Sequence, residues 1–306
     1  MTWWSCICTI ASHLESLLTS MSALPRIFLP AHNQITFRQL RGVPPNRICF
    51  ATSHANAVKP NPGPYEAKTP FRINLPFRQG VAQEFRAATG VVLREAQSQY
   101  GGLWAPLTEQ EAVRAKDWIA SQGTRVFLKD FFDLSVALGE RSAGTPLKET
   151  ELGALFASAK YQQDSVAIRE ILARLQQTAR ELHSLPSDVY ITSPPPRQGK
   201  DFDLPSLLAQ SMARSLRQRF EVLGTWQGEK GQLKGVAVDE KWNELEKIGF
   251  EVNPKTVKGG KPVLMIDDIY QSGTTVNFLR SKLTASGVAR ASSLTIVKAA
   301  RDTDNQ

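Results

Sequence analysis

Cysteine is scarce in this 306-residue chain, with Cys6, Cys8 and Cys49 the full set. Three thiols cannot complete a four-thiolate zinc site, and no histidine stands at ligand spacing beside them, so a structural zinc ribbon is excluded. With so few thiols and no export signal, the expected setting is reducing and cytoplasmic. A long hydrophobic run is missing as well. His13 and Glu15 interrupt the apolar stretch near the N-terminus, which is neither a convincing leader nor a membrane span. Met21 is an alternative start. Aspartate is absent from the first hundred residues, where ten Lys and Arg face only four acids, all glutamate. Such an excess suits a polyanionic partner, and DNA is the partner this basic N-terminal half suggests, although scattered solvated arginines give the same counts.

Length and composition favour two folded parts. Residues 1–68 are rich in Pro, Asn and Ala and end near the linker-like KPNPGP (59–64), so they read as an extended or partly disordered segment. Residues 69–145 read as a small α+β module. Phe71, Ile73, Leu75 and Phe77 alternate as in a strand, and Val81, Phe85 and Ala88 form a helical face that Gly90 ends. GGLWAP (101–106) suggests a turn and strand, followed by a helix beginning near Thr108 and holding Trp118. Trp104 is read as core. This strand–helix–strand with a late Leu-Trp is similar to the small HARP-like modules attached to nucleic-acid enzymes.

The most informative stretch is VLMIDDIYQSGTT (263–275). Four apolar residues, 263–266, predict a strand buried on both faces of a parallel sheet. Asp267 and Asp268 follow at its C-terminal end, where open α/β sheets place ligands. A turn, 271–275, then opens a helix carrying Val276, Leu279 and Leu283 and stopping at Gly287. Backbone N–H groups at such a helix start form an anion site. Gly273 lets a phosphate approach, and the Ser272 and Thr275 hydroxyls add donors. The acids repel phosphate but accept hydrogen bonds from sugar hydroxyls, directly or through Mg²⁺. A phosphate one sugar away from a pair of hydroxyls describes a ribose 5-phosphate. The competing reading is a buried strand with a solvated end and an ordinary capped helix.

This stretch resembles the phosphoribosyl pyrophosphate (PRPP) signature of type I phosphoribosyltransferases: hydrophobics, Asp-Asp, two spacers, then Thr-Thr-Gly-x-Thr. Gln271 and Ser272 stand where two threonines are common, and Ser272 alone keeps the hydroxyl. Residues 150–300 are similar to the ComF-type branch of that family. DVYITS (188–193) reads as a strand, followed by PPPR (194–197) and a helix with Leu204, Leu207, Leu208, Met212 and Leu216. Lys200, Asp201 and Asp203 replace an Arg, a Gly and an Asn of the family pattern. Lys160-Tyr161, before a helix with Ile168, Ile171, Leu172, Leu175, Ala179 and Leu182 on one face, extends the likeness. The four-cysteine ribbon common in ComF-type proteins is lacking.

The resemblance implies a type I phosphoribosyltransferase fold, α/β with a central, mainly parallel sheet, behind the small α+β module. It implies that Asp267, Asp268, Gln271, Ser272, Gly273, Thr274 and Thr275 bind PRPP, with Mg²⁺ carried by PRPP and reached by the two acids. The loop with Pro195, Pro196, Arg197 and Lys200 would hold pyrophosphate. GEKGQLKG (228–235) matches the flexible hood of the family, so Lys230, Lys234 and Lys241 are its candidate cations, and Asp267, Asp268 and Lys241 are the implied catalytic residues. The implied activity is Mg²⁺-dependent transfer of ribose 5-phosphate to an unidentified acceptor such as a nucleobase. The alternative is a non-catalytic PRPP sensor or a DNA-uptake or DNA-handling accessory. Residues 298–306 read as a polar tail, and self-association is left open.

Overall fold

The computed structural model describes residues 47–49, 57–62, 68–75, 81–95, 103–128, 130–196, 199, 201–229, 236 and 238–300. In chain order these form β1 (Arg47–Cys49), β2 (Val58–Pro60), β3 (Phe71–Leu75), α1 (Val81–Thr89), β4 (Arg94–Glu95) and β5 (Leu103–Leu107). Next come α2 (Glu109–Ser121), β6 (Val126–Leu128), β7 (Leu134–Glu140), β8 (Ser142–Ala143), β9 (Lys148–Glu149), α3 (Glu151–Tyr161) and α4 (Ser165–Glu181). They are followed by β10 (Tyr190–Thr192), α5 (Leu204–Leu216), β11 (Arg219–Phe220), β12 (Gly224–Trp226), α6 (Val238–Ile248) and β13 (Phe250–Val252). The last elements are α7 (Pro254–Val257), β14 (Val263–Tyr270), α8 (Thr274–Ala285) and β15 (Ala291–Lys298).

The result is a mixed α/β architecture around a sheet ordered β1-β6-β7-β15-β14-β10-β11. The five strands from β7 to β11 run parallel, and β6 and β1 extend the edge in antiparallel pairing. Apolar runs in β14 and β15 are buried on both faces, as a parallel sheet covered by helices requires. One face packs on α3, α4 and α5 through Phe156, Ile171, Leu175, Leu204, Leu208 and Met212. The other packs on α6 and α8 through Leu245, Phe278, Leu279 and Leu283.

Residues 126–140, grouped by sequence with the small module, are strands β6 and β7 of this large sheet. The reason is long-range pairing: β7 lies beside β15, and Ser135 Oγ meets Ser293 Oγ at 2.6 Å across 158 residues of sequence. Contacts at that separation leave no local signal.

A second, antiparallel sheet runs β2-β3-β5-β4. Its inward residues Ile73, Leu75, Leu103, Ala105 and Leu107 pack on α1 and α2, continuous with the core of the large sheet. Thr108 starts α2 with a capping box: its side chain accepts from the Glu111 amide, and Glu111 returns a bond to the Thr108 amide. Trp118 fills the core edge-on to Phe85, with ring centroids 5.1 Å apart. Trp104 is half-buried on the outward face instead of in the core. Glu84, buried on α1, accepts from the amides of His183 (3.0 Å) and Ser184 (2.8 Å) and from the Ser184 hydroxyl (2.8 Å). That carboxylate ties the small sheet's helix to the turn after α4. No helix of the described residues is long and apolar enough to cross a membrane.

Candidate functional site

β10 and β14 lie side by side, with Tyr190 opposite Val263 and Thr192 opposite Met265. From β10 the chain passes through α5 on one face to β11; from β14 it passes through α8 on the other face to β15. The connections thus diverge at this strand pair. A crevice opens at such a switch point, beyond the C-terminal strand ends. Parts of both sequence motifs lie at these strand ends: residues 193–196 after β10 and 267–275 at the end of β14.

The strand predicted over 263–266 runs on to Tyr270, because the equally long β15 continues to pair with it. Asp267 is half-buried and Asp268 buried. Asp267 Oδ1 accepts the Asp268 amide at 2.8 Å. Asp268 Oδ2 meets Lys160 Nζ at 2.8 Å. Lys160 reaches this point from the last turn of α3, its ammonium 5.2 Å from the Phe156 ring centroid. Sequence reading gave Lys160 no chemistry; only its place before a helix marked it.

The turn after β14 is built for close approach. Gly273 has φ of 74°, and a Cβ there would lie 2.2 Å from the Tyr270 hydroxyl. Glycine is thus required by the backbone and by the ring beneath it, besides any ligand. Gly273 is the N-cap of α8 and supplies no side-chain cap; the Thr274 amide donates to Ser272 Oγ at 3.4 Å, and the positive end of the helix dipole lies at this turn. Ser272 Oγ and Thr274 Oγ1 are 2.9 Å apart. Thr274 is buried, while Gln271, Ser272 and Thr275 are half-buried.

Below the turn is a buried polar layer. Asn277 donates to the Gly273 carbonyl at 2.8 Å and to the Tyr270 hydroxyl at 3.2 Å, and accepts the Phe131 amide at 2.9 Å. Lys298, read as the start of a polar tail, is only 2% exposed at the end of β15. Its ammonium donates to the carbonyls of Gln271 at 3.1 Å and Ala299 at 2.8 Å, placing positive charge under the turn. The signal that would have found it is the parallel pairing of Tyr270 with Lys298. Asp130 is wholly buried, and that burial raises its carboxyl to about 7, opposed by hydrogen bonds from Ser135, the Phe132 amide and Tyr270 and by the Arg280 charge.

On the other side, Ser193 Oγ meets Ser206 Oγ at 3.0 Å, and Asp203 caps α5 by accepting the Ser206 amide at 3.1 Å. Pro194 and Pro195 are half-buried and Pro196 exposed. Three consecutive prolines offer no N–H, so Pro195 and Pro196 can shape a diphosphate pocket but cannot donate to it. The Pro195 carbonyl accepts Trp226 Nε1 at 3.4 Å, and Trp226 stacks on Phe278 of α8 with centroids 6.0 Å apart. One indole therefore braces the supports of both loops. Arg197, Lys200, Lys230 and Lys234 lie outside the described residues. Lys241 is buried within α6 rather than on the loop before it.

The acid pair suits a Mg²⁺ carried largely by ligand phosphates and water, which needs only one or two protein carboxylates. Among the described residues no group of three His, Cys, Asp or Glu forms a cage for a metal alone. No protein-family model matches the chain, and no curated protein matches it either.

Proposed function

We propose that this protein binds PRPP with Mg²⁺ in a type I phosphoribosyltransferase domain and transfers its ribose 5-phosphate to an acceptor, releasing pyrophosphate. One observation carries the reading: an acid pair and an uncapped Gly-hydroxyl turn share one strand end at the sheet's switch point. Thr274, Thr275, Ser272 and the first amides of α8 hold the 5′-phosphate, with Lys298 adding charge from below. Asp267 and Asp268 accept the 2′- and 3′-hydroxyls or a water on Mg²⁺. Mg²⁺ carried by the ligand and reached by Asp267 and Asp268 would supply charge neutralisation of the diphosphate. The ribose C1–O bond to diphosphate loosens before the acceptor bonds, so the sugar passes through an oxocarbenium-like state that fixed charges stabilise. No protein nucleophile takes part. A cytoplasmic setting goes with this reading.

A PRPP sensor without turnover is the second reading. The proline run favours it, since departing pyrophosphate meets no backbone donors at residues 194–196. The test is calorimetry with PRPP and Mg²⁺, alongside pyrophosphate release across a panel of nucleobases. Binding with release supports the enzyme. Binding without release from any base supports the sensor, and no binding overturns both.

A further inference from the structure

Among the described residues, helices cover one face of the small sheet and no helix packs on the other. Alternation along its strands puts Ile73, Leu75, Leu103, Ala105 and Leu107 against α1 and α2. The outward positions then fall in two rows across the strands. Lys59 of β2 faces Arg72 of β3, which faces Pro106 of β5. Asn74 of β3 faces Trp104 of β5, which faces Arg94 of β4. Neighbouring strands are about 4.8 Å apart and the two rows about 7 Å apart along the strands, so these side chains form one continuous patch.

Its chemistry is one-sided. The ionisable groups on these outward positions are three cations, and no acid stands among them. Lys59, Asn74 and Arg94 are exposed, while Arg72, Trp104 and Pro106 are half-buried. Among the described residues Lys59, Arg72 and Arg94 make no ion pair, and Arg72 Nε is buried without a hydrogen-bond partner. Cations ordinarily solvate singly or pair with neighbouring acids. Here they surround an indole that stays out of the core, although the same chain buries Trp118 nearby.

We infer that this face binds single-stranded nucleic acid. Trp104 offers a flat platform for an unstacked base, and Lys59, Arg72 and Arg94 meet the phosphates on either side of it. Asn74 adds an amide that hydrogen-bonds a base edge. A duplex is the poorer fit, because its base faces are already stacked and unavailable to the indole. This site is separate from the switch-point crevice and does not depend on PRPP binding.

The test uses the full chain and fluorescein-labelled oligo(dT) and oligo(rU) of about 12 nucleotides, within the usual span of a single-strand site. Fluorescence anisotropy is expected to show both bound more tightly than a duplex of the same length, and the two arms tell DNA from RNA preference. With three phosphate contacts, log K against log salt should have a slope of about −2. Trp104→Ala is expected to weaken binding about tenfold or more, with Trp104→Phe recovering most of it. Because that tryptophan is partly packed, a second variant, Lys59→Gln with Arg94→Gln, changes only exposed positions. It should weaken binding and flatten the slope by about 1.4. Undiminished binding in both variants, or equal affinity for duplex, overturns the assignment, as does no binding by the unaltered protein. Loss of oligonucleotide binding in Asp267→Asn with Asp268→Asn would place the contact at the crevice and overturn it too.

Discussion

The large and small sheets present their chemistry in opposite places. Helices cover both faces of the large sheet, so its reactive side chains can gather only beyond the strand ends, where Asp267, Asp268 and residues 271–275 stand. The small sheet is covered on one side, and its candidate groups lie across the open face. A parallel sheet therefore offers a narrow crevice lined by loops and helix starts, suited to a small phosphorylated ligand. A half-covered antiparallel sheet offers a flat surface, suited to an extended one. The two are coupled in folding all the same, through a shared core and the buried Glu84 carboxylate.

The largest expected effect tests whether these two surfaces are independent. Asp267→Asn with Asp268→Asn removes two ionised acceptors from the crevice. Charged hydrogen bonds contribute about 1.5–3 kcal/mol each, so calorimetry should find PRPP affinity reduced by at least about a hundredfold. Oligonucleotide binding by the same variant should be unchanged. PRPP affinity that survives the double substitution would remove the acids from the site.

How legible each region is in sequence follows from the range of its contacts. The strand–turn–helix over 263–285 is local, and its apolar run, acids, glycine and helical face can be read directly. The capping box at Thr108 and Glu111 is equally local. Trp104, whose apolarity suggests the core, lies outward because the alternation of Leu103, Ala105 and Leu107 turns residue 104 to the other face. Lys160 and Lys298 owe their roles to partners far along the chain, Asp268 and the Gln271 carbonyl. Nothing beside either lysine announces this. The same holds for β7, which joins the large sheet only because β15 lies beside it.

A smaller effect separates the regions by pH. Asp130 lies in the buried layer beneath the large sheet's crevice, while the described outward positions of the small sheet, Lys59, Arg72, Asn74, Arg94, Trp104 and Pro106, include no acid. Its carboxyl, raised from 3.8 to about 7, keeps its proton in the folded chain where the unfolded chain has lost it. That contribution to stability is complete below about 4 and is lost as pH rises through about 7, with a limiting slope of roughly 1.4 kcal/mol per pH unit. Asp130→Asn should flatten the fall in urea midpoint between pH 5 and 7. An unchanged profile would mean that Arg280 and the surrounding donors already hold the carboxylate charged.

The smallest expected effect falls on Lys160, where the crevice meets α3. Its ammonium and the Asp268 carboxylate are 2.8 Å apart, with the lysine side chain 24% exposed. An ion pair at that exposure is worth at most about 1 kcal/mol. Lys160 can act in two opposite ways. It can hold the Asp268 carboxylate in place and lend positive charge to the diphosphate, or it can occupy the acid that ligand or Mg²⁺ must reach. The pairing geometry favours holding, because Asp268 is buried and the ammonium 2.8 Å away fixes its carboxylate beside the crevice. Lys160→Met should therefore weaken PRPP binding about fivefold at saturating Mg²⁺, with Lys160→Arg restoring most of it. Tighter binding in Lys160→Met would show the reverse: the ammonium is then a latch on the acid pair, and the crevice opens to PRPP only when that lysine swings away.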